Sequence, residues 1–441
     1  MIIPENMHLK NVAILGLGVS GIAANNSLVK AGSKVYAYDD MYKIKKFKNC
    51  KITPPSEWPW ENLDEIIVSP GINVSKNNPH PIVLRARNKN IKLSNEIDLF
   101  ARSNPQSKII GITGTNGKSS TTAMIGHILK TLKIPNEVGG NFGKAASDLS
   151  DPGKEGYIIL ELSSYQLELC RELKIDAGII LNISSDHIEQ HGSLEEYIDA
   201  KKNIYKLLKK NAPLLIGQND EFSKKIFDEI KKLGINVLKI PKYKFNPYKI
   251  SEEHNIQNIQ ASIKLLLEFG IKDKISYKSL LSYKSLPHRL ENFLNFKKFK
   301  FINDSKSTNG EAAKNALESF SNIFWIAGGR SKSNGLQCLK RELKNVKKCY
   351  LIGECATFFE KELTNKIPKI STCFNLKNAV NEVFDDLRGE KSGTILLSPA
   401  AASFDQFKNF EDRGEKFKNL VSKIFNTRKS FFKQNNQGSI L

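Results

Sequence analysis

The chain has 441 residues, more than a single hydrophobic core accommodates, so we expect two or three domains. Apolar residues make up 40% of it, and no apolar run approaches the roughly 18 residues of a membrane span. The opening MIIPENMHLK lacks the pattern of a signal peptide, so we expect a cytoplasmic protein without a membrane span. Six cysteines without C-x-x-C spacing favour reduced thiols over a metal site.

The formal net charge of +21 raises the question of nucleic-acid binding. Of the 67 basic residues, 57 are Lys and 10 are Arg, and they are spread along the chain. No aromatic-basic module or helix-turn-helix signature accompanies them. We therefore expect no nucleic-acid partner, although the positive field assists the arrival of small anions.

Strand-like apolar runs alternate with helical segments, a pattern typical of parallel sheets covered by helices. In chain order the runs are VAILG, KVYAYDD, EIIVSPG, KIIGITG, YIILE, DAGIILN, FKFIND, NIFWIAGG, KCYLIGE and GTILLSPA. Breaks near residues 93–95 and 285–287 predict three α/β domains, which we set at 1–93, 94–285 and 286–441. The tail from Arg428 is polar, and we expect it to fray.

The first strand leads into LGLGVSG, residues 15–21, which has the spacing G-x-G-x-x-G. Asp39 follows 18 residues after the last glycine. This is the dinucleotide-binding fingerprint, in which glycines let the backbone approach a diphosphate at a helix N-terminus and an acid holds a ribose. Taken alone, it predicts an NAD(P)-dependent dehydrogenase.

The stretch GITGTNGKSS, residues 111–120, combines an apolar strand, a glycine-rich turn, Lys118 with Ser119, and a helix. Backbone N–H groups in such a loop cradle phosphates, the lysine contacts the outer phosphates, and the hydroxyl reaches Mg²⁺. The strict phosphate-loop rule is not met, because Ile112 replaces its first glycine. The context still favours a nucleoside-triphosphate site.

Two further strand ends carry polar residues, at the edge where α/β sheets bind ligands. Glu161 begins ELSSYQLE directly after YIIL, and a carboxylate there suits Mg²⁺. NISSDHIEQH places Asp186, His187 and His191 within six positions. A histidine at a strand end is, by itself, more often structural than functional.

Two helical patterns admit more than one interpretation. Lys201 follows Tyr197 by four residues, and in isolation it would be a solvated surface lysine. In HNIQN, Asn255 and Asn258 share one helical face, where they could bind an adenine edge or cap and pack the helix.

The order of TGTNGKS, GGNFG, ELSSYQLE, NISSDH, HNIQN, PHRLE, NDSKSTN and LLSPAAASFDQFKNFEDRG resembles the Mur ligases over almost the whole chain. The last two blocks are similar to the members that use D-glutamate. The resemblance implies a Rossmann-like uridine-nucleotide domain, a central P-loop-type ATPase domain with a mostly parallel sheet, and a C-terminal Rossmann-like domain. It also implies that LGLGVSG binds a uridine diphosphate and no nicotinamide.

The reaction that this resemblance implies is ATP-dependent addition of D-glutamate to UDP-N-acetylmuramoyl-L-alanine through an acyl phosphate, in cytoplasmic peptidoglycan precursor synthesis. It implies ATP, two Mg²⁺ ions, a carbamate on Lys201 and a monomeric enzyme. The alternatives are a sister Mur ligase or folylpolyglutamate synthetase, and then the dehydrogenase, which leaves GTNGKSS and ELSSYQ unused.

The resemblance also implies a role for individual residues. For ATP they are Gly114, Thr115, Asn116, Gly117, Lys118, Ser119, Ser120, Asn255, Asn258, Arg289 and Asp304. For the UDP substrate they are Val19, Ser20, Asp39, Ser69, Gly71 and Asn141. For D-glutamate they are Thr308, Lys332, Ser403 and Phe410. The metal ligands are Ser119, Glu161, His187 and Lys201. The catalytic set is Lys118, His187, Lys201 and Lys306. The chain departs from the family pattern at Asp40-Met41, Glu189-Gln190, Glu252-Glu253 and Arg330.

Overall fold

The computed structural model describes residues 3–41, 46–47, 50–75, 78–184, 191–241, 256–331 and 335–434. They divide into two compact units, the first ending at Tyr283 and the second beginning at Lys284. The α/β class is confirmed, because each unit is built on mostly parallel sheets covered by helices. The three-domain boundaries stay a prediction, since the first two large sheets belong to one compact unit. Within the described part of the chain, no helix combines the length and apolar character needed to cross a membrane.

The first sheet has four parallel strands in the order β2-β1-β5-β6. Its region contains β1 (Asn11–Leu15), α1 (Val19–Lys30), β2 (Lys34–Tyr38), β3 (Lys46–Phe47), β4 (Cys50–Lys51), β5 (Glu65–Val68), α2 (Pro81–Asn88) and β6 (Lys92–Ser94). β3 and β4 form a separate antiparallel pair. The apolar run of β1 is buried because the strand is central in the sheet and α1 covers it.

The second sheet has six parallel strands in the order β12-β11-β10-β7-β9-β8. Its elements are α3 (Glu96–Ala101), β7 (Lys108–Thr113), α4 (Lys118–Thr131), β8 (Asn136–Gly140), β9 (Tyr157–Glu161), α5 (Ser164–Leu169), β10 (Ala177–Ile180), α6 (Leu194–Lys202), β11 (Leu214–Ile216), α7 (Glu221–Lys232), β12 (Val237–Lys239), α8 (Ile256–Glu268) and α9 (Asp273–Leu280). The neighbouring strands β7 and β9 end beside each other, which brings the glycine-rich loop after β7 next to Glu161.

The third sheet has the order β13-β14-β18-β15-β16-β17, and only the β13–β14 pair is antiparallel. Its elements are β13 (Glu291–Phe296), β14 (Phe299–Asn303), α10 (Gly310–Ser319), β15 (Ile323–Gly328), β16 (Val346–Ile352), α11 (Ala356–Leu363), β17 (Ile370–Phe374), α12 (Leu376–Asp386), β18 (Gly393–Leu397) and α13 (Phe410–Gln434). Within the described residues, the short 3₁₀ helices are Pro55–Glu57, Trp60–Asn62, Ala146–Asp148, Asn203–Leu207, Arg341–Asn345 and Leu387–Gly389.

An ion-pair network holds the first sheet to the second within the first unit. Arg102 follows α3 and contacts Glu65 of β5 through both terminal nitrogens. Its Nε and one terminal nitrogen also donate to Glu172, each at 2.8 Å. The pKa of Glu172 falls to about 2, because Arg102 donates hydrogen bonds to its carboxylate. The guanidinium thus joins segments that lie about seventy residues apart in sequence.

Glu96, the first residue of α3, is a buried carboxyl group with one unsatisfied oxygen. Its Oε1 accepts the N–H of Ser147, whereas Oε2 is buried without a hydrogen-bond partner. Burial raises the pKa of Glu96 to about 7 from an ordinary value of 4.5. The folded protein therefore retains a proton between these two pH values that the unfolded chain has lost.

We expect Glu96→Gln to remove a pH-dependent loss of stability. The contribution of protonated Glu96 is complete below about pH 4.5 and is lost as the pH rises through about 7, because the charged form is buried. The free energy of unfolding is measured by denaturant titration at pH 5 and pH 8. Between these two pH values the parent should lose up to about 3 kcal/mol more of it than the variant does. The exposed Glu155→Gln is the control, and an equal pH dependence in all three proteins would refute the assignment.

Candidate active site

The loop between β7 and α4 lets the backbone approach a ligand closely. Gly114 and Gly117 have φ angles of +149° and +85°, which L side chains rarely adopt. A Cβ on Gly117 would lie 2.3 Å from Asn258 Oδ1, so a larger residue would collide there. Gly117 caps α4 without a side-chain hydrogen bond. The first N–H groups of a helix capped in this way suit an anion.

Two lysine side chains meet at the carbonyl oxygen of Gly114. Lys118 Nζ donates to this oxygen and to Thr115 O, both at 2.8 Å. Lys201 Nζ donates to the same Gly114 oxygen, also at 2.8 Å. Lys201 is only 2% exposed, so its interpretation as a solvated surface lysine is wrong. Two positive charges that share one backbone acceptor repel each other, so this arrangement favours an anionic ligand beside the loop.

Tyr197 links α6 to the same loop, and sequence reasoning gave it no role. Its hydroxyl lies 2.9 Å from Thr115 Oγ1, and its ring centroid lies 4.7 Å from Lys201 Nζ. Thr115 Oγ1 in turn accepts the N–H of Ser184 at 3.0 Å. The four-residue spacing between Tyr197 and Lys201 placed both on one helical face, but only the packing of α6 shows that this face is buried.

Glu161 offers a carboxylate oxygen to the same end of the sheet. It is 3% exposed at the end of β9, and its Oε1 accepts the Asn141 side-chain N–H at 2.9 Å. Its Oε2 is buried and has no hydrogen-bond partner. An unsatisfied buried carboxylate oxygen beside a phosphate-type loop fits a hard cation such as Mg²⁺.

Four of the predicted residues, Asp186, His187, Asn255 and Lys332, lie outside the described residues, as do the departures Glu189-Gln190 and Glu252-Glu253. Among the described side chains, no group of three or more His, Cys, Asp or Glu is arranged to hold a metal ion. Asn258, on α8, is buried against Gly117 of the loop.

The glycine-rich loop after β1 is as tightly folded as the loop after β7. Gly16 has a φ angle of +92°, and a Cβ on Gly21 would lie 1.9 Å from Gly16 O. Ser69 Oγ, at the end of β5, donates to this same carbonyl at 2.7 Å. Gly18 caps α1 without a side-chain hydrogen bond. The close turn and the open helix start have the form that accepts a diphosphate.

Asp39 closes this loop from the end of β2. Its Oδ2 accepts the Leu17 N–H at 2.6 Å and its Oδ1 accepts the Met41 N–H at 2.9 Å. Oδ2 therefore supports the glycine-rich loop, and Oδ1 supports the turn that follows β2. Around this turn, Val19 is exposed, Ser20 and Ser69 are half-buried, and Gly71 is exposed. Asp40, where the family pattern differs, lies 2.9 Å from His80 Nε2.

In the second unit, the predicted nucleotide contacts lie beside the β13–β14 pair. Asp304 Oδ2 accepts the Ser398 hydroxyl at 2.8 Å, and its Oδ1 accepts the Leu290 N–H at 3.2 Å. Burial raises the pKa of Asp304 to about 7. Arg289, half-buried, directly precedes Leu290. Asp304 therefore orders the turn that carries Arg289.

Two of the residues predicted for D-glutamate, Thr308 and Ser403, follow β14 and β18, which are parallel neighbours and therefore end at the same edge of the third sheet. Lys306 Nζ lies 4.2 Å from the centroid of the Phe410 ring. Ser305 Oγ donates to Phe410 O at 2.8 Å, which joins NDSKSTN to the start of α13. Thr308 is half-buried further along the first loop, and Ser403 is buried in the loop after β18.

Arg413 is a fully buried residue that sequence reasoning missed. Its guanidinium donates to Ser305 O at 2.9 Å, to Ser305 Oγ at 3.0 Å and to Ala401 O at 3.0 Å. Burial lowers its pKa to about 10. Arg413 therefore ties α13 to the loops after β14 and β18. The only advance signal was its place in the NFEDRG block.

Arg330, where the family pattern differs, pairs with Glu354 through two 3.0 Å hydrogen bonds. Its backbone forms an antiparallel bridge with Ala402, with both N–H···O distances at 2.9 Å. At this position the side chain thus forms an exposed ion pair. The backbone bridge joins the loop of Arg330 to the loop that carries Ser403.

Comparison with solved structures gives the same fold at low sequence identity. UDP-N-acetylmuramate-alanine ligase MurC from Thermotoga maritima matches with a TM-score of 0.59 at 18% identity, over 95% of this chain and all of that one. MurF ligase from Thermotoga maritima, in complex with ADP, matches with a TM-score of 0.58 at 17% identity, over 96% of this chain and 97% of that one.

Sequence comparison is more specific. The Mur ligase middle domain matches residues 112–294. UDP-N-acetylmuramoylalanine--D-glutamate ligase from Rhodospirillum rubrum is 35% identical, over 95% of this chain and 96% of that protein. The enzyme of the same name from Wolbachia sp. subsp. Brugia malayi is 34% identical, over 94% of this chain and 96% of that protein. The chain therefore belongs to the Mur ligases, in the family of UDP-N-acetylmuramoylalanine--D-glutamate ligases.

Proposed function

We propose that the chain joins D-glutamate to UDP-N-acetylmuramoyl-L-alanine at the expense of ATP, a step of peptidoglycan precursor synthesis. The observation that carries this proposal is 35% identity to a ligase of that name over nearly the full length of both chains. The juxtaposition of Lys118, Lys201 and a glycine-lined helix start supports the use of ATP. We expect the enzyme to act in the cytoplasm as a monomer.

The chemistry explains why ATP is needed. A carboxylate does not react with an amine at neutral pH, because its oxygen is a poor leaving group and its charge repels nucleophiles. Transfer of the γ-phosphoryl group to the L-alanyl carboxylate gives an acyl phosphate and ADP. The D-glutamate amine then attacks the acyl carbon, loses a proton, and the tetrahedral intermediate expels phosphate to leave the amide.

The central site holds ATP through residues 114–120 of the phosphate loop. Lys118 binds the outer phosphates of ATP. Its ammonium then donates to phosphate oxygens in place of the carbonyls of Gly114 and Thr115, and it stabilises the negative charge that develops during phosphoryl transfer. Asn255 and Asn258 face the adenine. Arg289 binds the phosphates and Asp304 the ribose.

Two Mg²⁺ ions, when bound, neutralise phosphate charge and orient its oxygens. Ser119 and Glu161 would hold one ion, a role supported by the unsatisfied Glu161 oxygen. His187 and a carbamate on Lys201 would hold the second. A carbamate would also remove the repulsion between the two ammonium groups that meet at Gly114 O.

The remaining roles concern the two other substrates. Val19, Ser20, Asp39, Ser69 and Gly71 line the uridine-nucleotide site, and Asn141 contacts the phosphate and the muramoyl group. For D-glutamate, Thr308 and Lys332 bind the α-carboxylate, while Ser403 and the Phe410 backbone bind the side-chain carboxylate. Lys306 lies near the reacting centre, and its approach to Phe410 supports a shared pocket.

Phosphate release from ATP tests the function directly. The full reaction is compared with reactions that lack either D-glutamate or UDP-N-acetylmuramoyl-L-alanine, and with one in which L-glutamate replaces the D-isomer. Release should require both substrates and the D-isomer. Equal release without them would overturn the proposal.

The first glycine-rich loop should bind a uridine diphosphate and not NAD. The same compact unit carries a second, phosphate-type loop with Lys118, and the relatives that match nearly the whole chain are named for a UDP-linked substrate. Calorimetric titration should give binding of UDP-N-acetylmuramoyl-L-alanine and none of NAD. Tight NAD binding with no response to the UDP compound would restore the dehydrogenase interpretation.

Lys118→Ala should lower turnover by at least a hundredfold, on the order of 2.7 kcal/mol, because the lysine stabilises the transferred phosphoryl group. Turnover is measured at saturating substrates, with circular dichroism to show that the variant is folded. Lys130→Ala, an exposed change in the last turn of the same helix, is the control. Near-normal turnover in folded Lys118→Ala would exclude the assigned role.

Lys201→Ala should lose most activity and regain part of it with added formate or acetate, since a small carboxylate can occupy the position of the carbamate. Lys202→Ala is the matched control, because its side chain pairs on the surface with Asp199 and Glu229. Full activity of Lys201→Ala without rescue would show that another group completes the metal site.

A further inference from the structure

His191 is a buried histidine that the proposed reaction leaves without a role. It ends NISSDHIEQH, is 2% exposed and lies just before α6. Each of its ring nitrogens faces a polar side chain of α5. Nε2 lies 2.9 Å from Ser164 Oγ, and Nδ1 lies 3.4 Å from Glu168 Oε2. These contacts fix the plane of the imidazole.

The faces and edges of the ring are also occupied. Tyr165 stacks on it with centroids 4.9 Å apart and planes inclined by 1°. Tyr197 packs edge-on, with centroids 5.4 Å apart and planes inclined by 61°. The imidazole thus determines where the Tyr197 ring lies relative to α5. Aromatic pairs of this kind are directional, so the position of one ring restricts the other.

Tyr197 carries this restraint to the phosphate loop. Its hydroxyl lies 2.9 Å from Thr115 Oγ1, next to the carbonyls of Gly114 and Thr115 that accept the Lys118 ammonium. Its ring also lies against the Lys201 ammonium. A displaced ring would therefore move both the loop and Lys201.

We propose that His191 is a positioning residue, which orients Tyr197 and thereby holds the phosphate loop and Lys201 in their productive arrangement. The proposal rests on the ATP-dependent ligation above. It assigns His191 no proton transfer, because both ring nitrogens face side chains of α5 and the ring packs against Tyr165 and Tyr197. Burial lowers the pKa of His191 to about 4, with a further contribution from the charge of Lys201, so a neutral ring fits this place.

Three variants separate positioning from simple packing. His191→Phe keeps an aromatic ring but loses both polar contacts, and His191→Gln keeps a polar group that can reach α5. Tyr197→Phe keeps the ring and removes the hydroxyl at Thr115. His127→Phe is the control, because His127 lies on α4 and contacts Ser279 and Ser282, away from the loop.

We expect His191→Phe to lower kcat on the order of ten- to a hundredfold with a KM for D-glutamate within about twofold, since a misplaced loop impairs phosphoryl transfer more than amino-acid binding. His191→Gln should recover part of kcat. In the Tyr197→Phe background, His191→Phe should cost a smaller factor than in the parent, because the hydroxyl contact with Thr115 is already lost and only the ring contact with Lys201 remains. The His127→Phe enzyme should match the parent.

Nucleotide binding gives a readout that does not need ligation. Saturating MgADP should raise the melting temperature of the parent and of His127→Phe more than that of His191→Phe. If the parent shows no D-glutamate-dependent phosphate release, the proposed function fails, while this comparison still tests the link to the loop. An unchanged kcat and ADP shift in His191→Phe, or fold-losses that multiply with Tyr197→Phe, would overturn the proposal. If His191→Phe does not fold, His191→Gln is judged by the same criteria.

Discussion

The carbonyl oxygen of Gly114 accepts hydrogen bonds from both Lys118 and Lys201, and the arrangement of the central site depends on this contact. A neutral carbonyl orients two ammonium groups but does not cancel their charge. Like charges held this close repel each other, and negative charge nearby offsets that repulsion. Two cations ordered beside the glycine-rich loop are the kind of preorganised electrostatics that favours phosphoryl transfer.

The first unit contains two glycine-rich loops that are built alike but are contacted by different side chains. In each, a strand ends in a tight turn whose glycines admit close backbone contacts, and a helix begins without a side-chain cap. The loop after β1 is supported by the carboxylate of Asp39, whereas the loop after β7 is covered by the ammonium of Lys118. Glycine spacing thus specifies a tight turn followed by an uncapped helix start, and the side chains that contact the turn differ between the two loops.

In the second unit, the buried side chain of Arg413 holds separate loops together. Its guanidinium donates to backbone carbonyls and a hydroxyl of separate loops, among them Ser305 and Ala401. A rigid fork of donors satisfies carbonyl groups that no regular strand pairing reaches at this edge of the sheet. The loops that carry Lys306, Ser403 and Phe410 are joined in this way, so the proposed D-glutamate residues depend on one buried side chain that contacts none of the substrates in our assignment.

The sequence by itself determined the α/β class, the order of strands and helices and the two glycine-rich turns, because these follow from local periodicity and from backbone angles that only glycine adopts easily. It also contained the motif order that identifies the family. Only the tertiary structure decided that Lys201 is buried, that Asp39 supports its own loop, and that His191 and Arg413 join distant segments. Helical spacing shows which residues share a face, but whether that face is exposed depends on the elements packed against it. Those elements lie tens of residues away in sequence, beyond the range of any local pattern.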